Sequence, residues 1–335
     1  MRRRASYGVD AGSTGVRVAS WDGDGPPRPE GGVARGPVVA TLPAEECVFR
    51  LIELPSLQLG GREAIASLRW ELQRILPFPV DEGVFDFVSL ADGRTGDPAG
   101  DGPSRLRYAV SGARLEAVDA RMAALRQLGV RPAVLEPEWV TLWRIALELR
   151  PPGAASGVLD LGESGSRLMV VDPDGVPFAF HRSRVGGRLL TEELASAIGV
   201  APAEAENLKI SEFAEDLGPL ATGAALGELA GDLVRALRRV QQEFSSGPVE
   251  MWAVGGGALW PALRTALSEA LALELRRPGT PEAAARSPVG ALDPRWVLAG
   301  ELARWYAARA RRGEAVSEEE GLRQAVTAEK GAPGR

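Results

Sequence analysis

The chain has 335 residues, of which 45% are hydrophobic and 25% charged, more than one core of ordinary domain size would hold and in keeping with two lobes. A net charge of -6 supplies no basic field for nucleic acid and sets that class of partner aside. Cys47 is the only cysteine and His181 the only histidine, which excludes a disulfide framework or a Cys/His metal site within one chain.

The opening MRRRASYGVDAG has a basic cluster with no apolar stretch behind it and does not read as a secretory signal. Residues 8–22, GVDAGSTGVRVASWD, alternate around a Gly-rich turn and read as a hairpin. The Gly/Pro-rich residues 23–37 read as a loop, and 46–54 as an extended strand, with Cys47 a small buried residue rather than a reactive thiol. A helix over 61–76 carries Ala64, Ile65, Leu68, Leu72 and Ile75 on one face and stops at Pro77, Phe78 and Pro79. Strands over 84–90 and 106–111 flank a Gly/Asp/Pro loop at 91–104 that reads as a mobile surface insertion, so 45–112 is expected to form a small inserted βαββ subdomain.

A helix over 113–128, a strand over 130–135 and a helix over 139–149 complete a first lobe, 1–150. The Pro/Gly/Ala run at 151–156 reads as a hinge. The second lobe, 151–312, opens with a hairpin at 157–172, GVLDLGESGSRLMVVD, extended by a strand over 176–182. Helices over 189–198, 203–213 and 226–244 precede a strand over 249–254 that runs into Gly255, Gly256 and Gly257. Helices over 262–272 and 296–312 follow, and 313–335 reads as a disordered polar tail. No uninterrupted run of about 20 apolar residues is present for a spanning helix.

The two hairpins are copies of one pattern. Aligning Asp10 with Asp160 also brings together Gly12 and Gly162, Gly15 and Gly165, Arg17 and Arg167, and Asp22 and Asp172, so the agreement lies at glycines and charges and marks a duplication. Glycines leave backbone N–H groups open to a phosphate, and the hydroxyls of Ser13, Thr14, Ser164 and Ser166 can add hydrogen bonds. Asp10 and Asp160, at the ends of the first strands, suit water-mediated Mg²⁺. The alternative is a pair of ordinary tight turns.

Three further motifs stand out. Gly255, Gly256, Gly257 and Ala258 lie between an apolar strand and a helix, where bare backbone meets an anion or a flat ring, although unliganded turns of this kind are common. Glu206 and Lys209, at i and i+3, share a helix face and suit ribose hydroxyls or a surface ion pair; lysine occurs only here and at Lys330 among 39 basic residues. Glu136 and Glu138, in VLEPEWV, could orient a water at a terminal phosphate or simply favour the dipole of the helix they precede. A Ser-His-Asp hydrolase would need His181, whose surroundings, GVPFAFHRSRVGG, lack a nucleophile elbow.

The paired glycine hairpins, the AENLK helix and the late GGGA turn together resemble the superfamily of sugar kinases, heat-shock ATPases and actin. The stretch LRWELQRILPFPVDEGVFDF at 68–87, with SRVGGRLLTEELA at 183–195 and AVGGGALWPAL at 253–263, resembles the PilM family of type IV pilus assembly proteins. That resemblance covers roughly residues 5–312. It implies an α/β fold of two actin-like, RNase H-like lobes with ATP and Mg²⁺ in the cleft and a first-lobe insertion like that of the related division protein FtsA. It also implies a cytoplasmic place beneath the inner membrane, docked to the cytoplasmic tail of a PilN-like protein, with at most slow ATP hydrolysis. Ser166 where threonine is expected, and Arg17 where lysine is usual, preserve a hydroxyl and a cation. A small-molecule kinase and an FtsA-like filament protein are the alternatives; the charged residues 313–335 lack the apolar face of the membrane helix that a filament protein of that kind carries.

Overall fold

The computed structural model describes residues 5–33, 36–55, 62–90, 105–209, 211, 223–243 and 250–311. These fall into two compact units, one made of the described residues up to Thr41 with Val140–Ala308, the other of Leu42–Trp139 with the described residues from Arg309. The expected insertion loop at 91–104 and tail at 313–335 lie outside the described residues.

In the first unit β1 (Ser6–Gly12) pairs antiparallel with β2 (Gly15–Trp21) through register pairs from Ser6↔Trp21 to Gly12↔Gly15. β2 carries β3 (Arg28–Glu30) on its far side, and β1 pairs in parallel with β4 (Val38–Leu42). Neither β3 nor β4 is anticipated by the sequence reading. β3 is a short edge strand inside the Gly/Pro segment. β4, VVATL between Pro37 and Pro43, is buried at every position, so it shows no alternation to read.

In the second unit β5 (Cys47–Pro55), α1 (Arg62–Ile75), β6 (Gly83–Ser89) and β7 (Arg105–Arg114) form the expected βαββ subdomain, its sheet ordered β5-β7-β6. Leu72 of α1 is buried with Val80, Tyr108 and Val110. α2 (Leu115–Gln127) follows, then β8 (Val134–Pro137), which starts later than expected, and α3 (Glu138–Leu149) crosses into the first unit.

The remainder of the first unit repeats the opening topology. β9 (Ser156–Leu161) pairs antiparallel with β10 (Ser166–Val171), β10 with β11 (Pro177–Ser183), and β9 in parallel with β12 (Glu250–Val254). The sheet order β11-β10-β9-β12 thus matches β3-β2-β1-β4 strand for strand and in sense, which is the duplication expressed in three dimensions. β13 (Leu275–Arg276) extends the second sheet.

Helices α4 (Gly187–Ile198), α5 (Pro202–Leu208), α6 (Ala224–Glu243) and α7 (Pro261–Leu271) surround that sheet. They close a core around Leu159, Leu168, Leu194, Leu229, Leu233 and Leu263. Short α8 (Pro281–Arg286) leads to α9 (Val297–Arg311). α9 comes so close to β1 that a Cβ at Gly8 would collide with the Ala299 carbonyl, and Ser6 donates to the Ala303 carbonyl at 2.6 Å. Among the described residues no helix is long and apolar enough to cross a membrane.

Candidate functional site

The ends of β1 and β9 carry the acidic residues that the duplication singles out. Asp10 stands opposite Arg17 in the β1–β2 ladder, with Arg17 Nη1 3.9 Å from Asp10 Oδ2. Arg17 also donates to Thr14 Oγ1 at 3.2 Å, and Thr41 Oγ1 at the end of β4 donates to Asp10 Oδ1 at 3.4 Å. Asp160 stands opposite Arg167 in the β9–β10 ladder, and Arg167 Nη1 donates to Asp160 Oδ2 at 3.1 Å.

Both pairs belong to one unit, and the charges of Asp10 and Arg17 reach Asp160. Burial pushes the Asp160 carboxyl up to about 6; the Arg167 guanidinium pulls it down, and the Asp10 carboxylate pushes it up again. Two carboxylates that repel each other, each beside an arginine, make a place where a cation and an anion together lower the energy more than either alone.

The turns differ in how they are held. Gly12, Ser13, Thr14 and Gly15 are exposed, Gly15 has φ +132°, and an added Cβ at Gly12 or Gly15 would meet nothing within 4 Å. The second turn, with Ser164 exposed, is braced. Gly162 N donates to Gly165 O at 3.1 Å, and the first amides of α4 donate back to it, Gly187 N to Gly162 O at 2.8 Å and Arg188 N to Glu163 O at 3.1 Å. Gly186 lies so close to the Gly165 nitrogen that it admits no side chain. The Ser166 hydroxyl is buried and donates to Val185 O at 2.8 Å.

The triple glycine comes to the same place because β12 runs parallel to β9 with Val254 beside Asp160. Gly255 has φ +83°, and a Cβ there would meet Asp160 Oδ1 at 2.5 Å; one at Gly257 would meet Leu161 Cβ at 2.8 Å. Gly256, exposed, would meet nothing within 4 Å, and Ala258 is fully buried behind it.

Lys209, 5% exposed, sits at the end of α5 with its ammonium 2.6 Å from both Thr191 Oγ1 and Glu206 Oε2. It also lies 5.5 Å from the ring centroid of Trp260, just past the triple glycine. Glu206 remains half-exposed. Glu136 and Glu138 belong to the second unit and are both buried; Glu138 Oε2 accepts from Ala44 N at 2.7 Å.

The structure thus gathers Asp10, Arg17, Asp160 and Gly255, and adds Arg167, Thr41 and Thr191 as direct partners of site residues. Arg167 was visible as the repeat mate of Arg17. Thr41 and Thr191 carry no local signal, since their importance arises only when β4 meets β1 and α4 meets α5. Among the described residues no three acidic, histidine or cysteine side chains converge on a metal position; two carboxylates fit a cation held through water and phosphate rather than in a protein cage.

Among solved structures, the chain is similar to one from a PilM–PilN type IV pilus biogenesis complex, at 23% identity over 93% of this chain and 99% of that chain, with a TM-score of 0.67. The ethanolamine utilization protein EutJ from Carboxydothermus hydrogenoformans matches at 17% identity over 90% of each chain, with a TM-score of 0.49. MreB5 of Spiroplasma citri, bound to ADP, matches at 11% identity over 60% of this chain and 68% of that chain, with a TM-score of 0.44. The last two likenesses are too loose to bear on what this chain binds. No curated protein matches the sequence. The α/β fold is that of the actin-like ATPases, as the first likeness shows. A profile of the type IV pilus assembly protein PilM matches residues 30–276 of the 335, well over half of the sequence, and the chain therefore belongs to the PilM family of type IV pilus assembly proteins.

Proposed function

We propose that this chain binds ATP with Mg²⁺ between its two glycine hairpins and, in that state, docks the cytoplasmic tail of a PilN-like membrane protein. The observation that carries the nucleotide reading is the mutual approach of the Asp10–Arg17 and Asp160–Arg167 pairs, with Gly255 packed against Asp160. Open backbone at Gly12, Gly15 and Gly256 suits phosphate oxygens, and the exposed hydroxyls of Ser13, Thr14 and Ser164 lie beside it.

Asp10 and Asp160 would hold Mg²⁺ through water, and the ion when bound neutralises phosphate charge. Glu206 and Lys209 would face the ribose. Arg17 supplies a fixed cation at the turn, whereas Arg167 is occupied in holding Asp160 ionised and oriented. On this reading residues 1–150 and 151–312 are the two lobes, and ATP acts by favouring one arrangement of them, shifting partner affinity by no more than its own preference between states. Glu138 is engaged by the Ala44 amide, which supports slow hydrolysis at most.

The partner reading follows from family membership and from the similarity to a chain solved in a PilM–PilN complex. On this reading the protein works in the cytoplasm, at the inner membrane through its partner. Calorimetric titration of MgATP into wild type and an Asp10→Ala variant tests the site. An affinity loss of at least about tenfold is expected from removing one of two converging carboxylates; unchanged affinity would count decisively against the proposed pocket.

A further inference from the structure

In the second unit, the last turns of α2 form one wall of a notch that no part of the nucleotide reading uses. Met122 and Arg126, at i and i+4, lie on one helix face. After Leu128, Gly129 turns the chain with φ +76°, and Val130 N donates back to Leu125 O at 2.8 Å. This swings Arg131 and Pro132 round to face that helix wall. Met122, Arg126, Arg131 and Pro132 line an open notch of about 390 Å³, within the range of small ligand clefts.

Both arginines are exposed, and among the described residues neither has a carboxylate partner. Elsewhere in the same unit arginines are matched, Arg114 to Glu82 at 3.1 Å and Arg69 to Asp81. Two guanidinium groups facing one notch repel each other, and that repulsion ends when a carboxylate enters between them. Beside them Met122 and Pro132 offer apolar walls.

We propose that this notch docks an acidic peptide segment of a partner protein, a carboxylate seated between Arg126 and Arg131 with a neighbouring apolar side chain against Met122 and Pro132. An anionic membrane surface fits less well. It calls for roughly four to eight clustered basic residues, whereas this helix exposes two acids of its own, Glu116 and Asp119, that a flat anionic surface would meet. A single side chain reaching into the notch avoids them.

A fluorescein-labelled peptide of alternating glutamate and leucine, titrated with the full chain and followed by anisotropy at low salt, tests the proposal. Saturable binding is expected, weakening at least about tenfold in Arg126→Glu, in Arg131→Glu and on raising the salt, with no binding of the lysine–leucine counterpart. Both side chains are exposed, so thermal melting should not change; if a charge reversal melts early, Arg126→Gln and Arg131→Gln take its place. No saturable binding by wild type, or equal binding by the variants, overturns the proposal. So does arginine-dependent binding to phosphatidylserine vesicles without binding of the peptide.

Discussion

Arg167 faces Asp160 across one hairpin at 3.1 Å, and Arg17 faces Asp10 across its duplicate at 3.9 Å, so one acid–arginine pair occurs twice in different surroundings. Asp160 and Arg167 are buried, whereas Asp10 and Arg17 keep 18% and 25% of their side chains exposed. Burial is the larger influence on Asp160 and takes its carboxyl up to about 6 despite the arginine.

This gives stability a pH dependence of definite sign. Below about pH 4, folded and unfolded chains both hold the proton. Between about pH 4 and the folded value near 6 only the folded chain holds it, so stability falls as pH rises through that window, by about 2–3 kcal/mol in total. Buried Glu301, also raised by burial, acts in the same direction, and the useful quantity is therefore a difference. Urea unfolding of Asp160→Asn and wild type should show the variant gaining on wild type as pH rises from about 4 to 7. Parallel pH profiles would refute the assignment.

Two adjacent glycines should behave oppositely. Gly255→Ala forces a side chain into φ +83° and against Asp160 Oδ1, costing about 1–3 kcal/mol in backbone strain alone. Gly256→Ala meets open space and should leave stability within about 0.5 kcal/mol. If Gly256 faces phosphate, its variant should bind MgATP more weakly while melting normally. Equal melting temperatures for the two variants would contradict the packing of the turn.

Both hairpins were legible in the sequence because their information is local: alternation sets the strands and glycine the turns. So was the βαββ subdomain, where α1 ends at Ile75, just short of Pro77. β4 escaped because a strand buried on both faces has no period, and β13 because two residues make no pattern. At the site, the repeat singled out Asp10, Asp160 and the glycines, and the structure packs Gly255 against Asp160 and lets the charge of Asp10 reach it. That Ser166 would turn to Val185, or Glu138 to the Ala44 amide, depends on contacts between elements that no local signal encodes.

Lys209 offers a test of how specific a buried cation is. Its ammonium is 2.6 Å from Thr191 Oγ1 and from Glu206 Oε2. Lys209→Met removes the buried hydrogen bond and should cost about 1–3 kcal/mol in urea unfolding. Lys209→Arg should not restore it, since a planar guanidinium cannot occupy the space of a compact ammonium between α4 and α5. Wild-type stability in the arginine variant would show that charge alone matters there.

Cys47 and Glu138 form the last test, in the second unit. The thiol of partly buried Cys47, less enclosed than its sequence suggests, lies 3.6 Å from Leu42 O, and desolvation first, then the charges of Glu138, Glu46 and Glu45, hold it well above the usual thiol range. Thiolate is the reactive form, so iodoacetamide at pH 8 should alkylate the native chain at least about 100-fold more slowly than the urea-unfolded chain. Glu138→Gln removes the charge but leaves the burial, and its oxygen can still accept from Ala44 N; alkylation should stay slow and stability fall by less than about 1 kcal/mol. Glu138→Ala instead strands the buried Ala44 amide, for a loss of about 1–3 kcal/mol. The ordering alanine below glutamine, with both thiols slow, separates the hydrogen bond from the charge. Rapid alkylation in the glutamine variant would mean that Glu138, and not burial, controls the thiol.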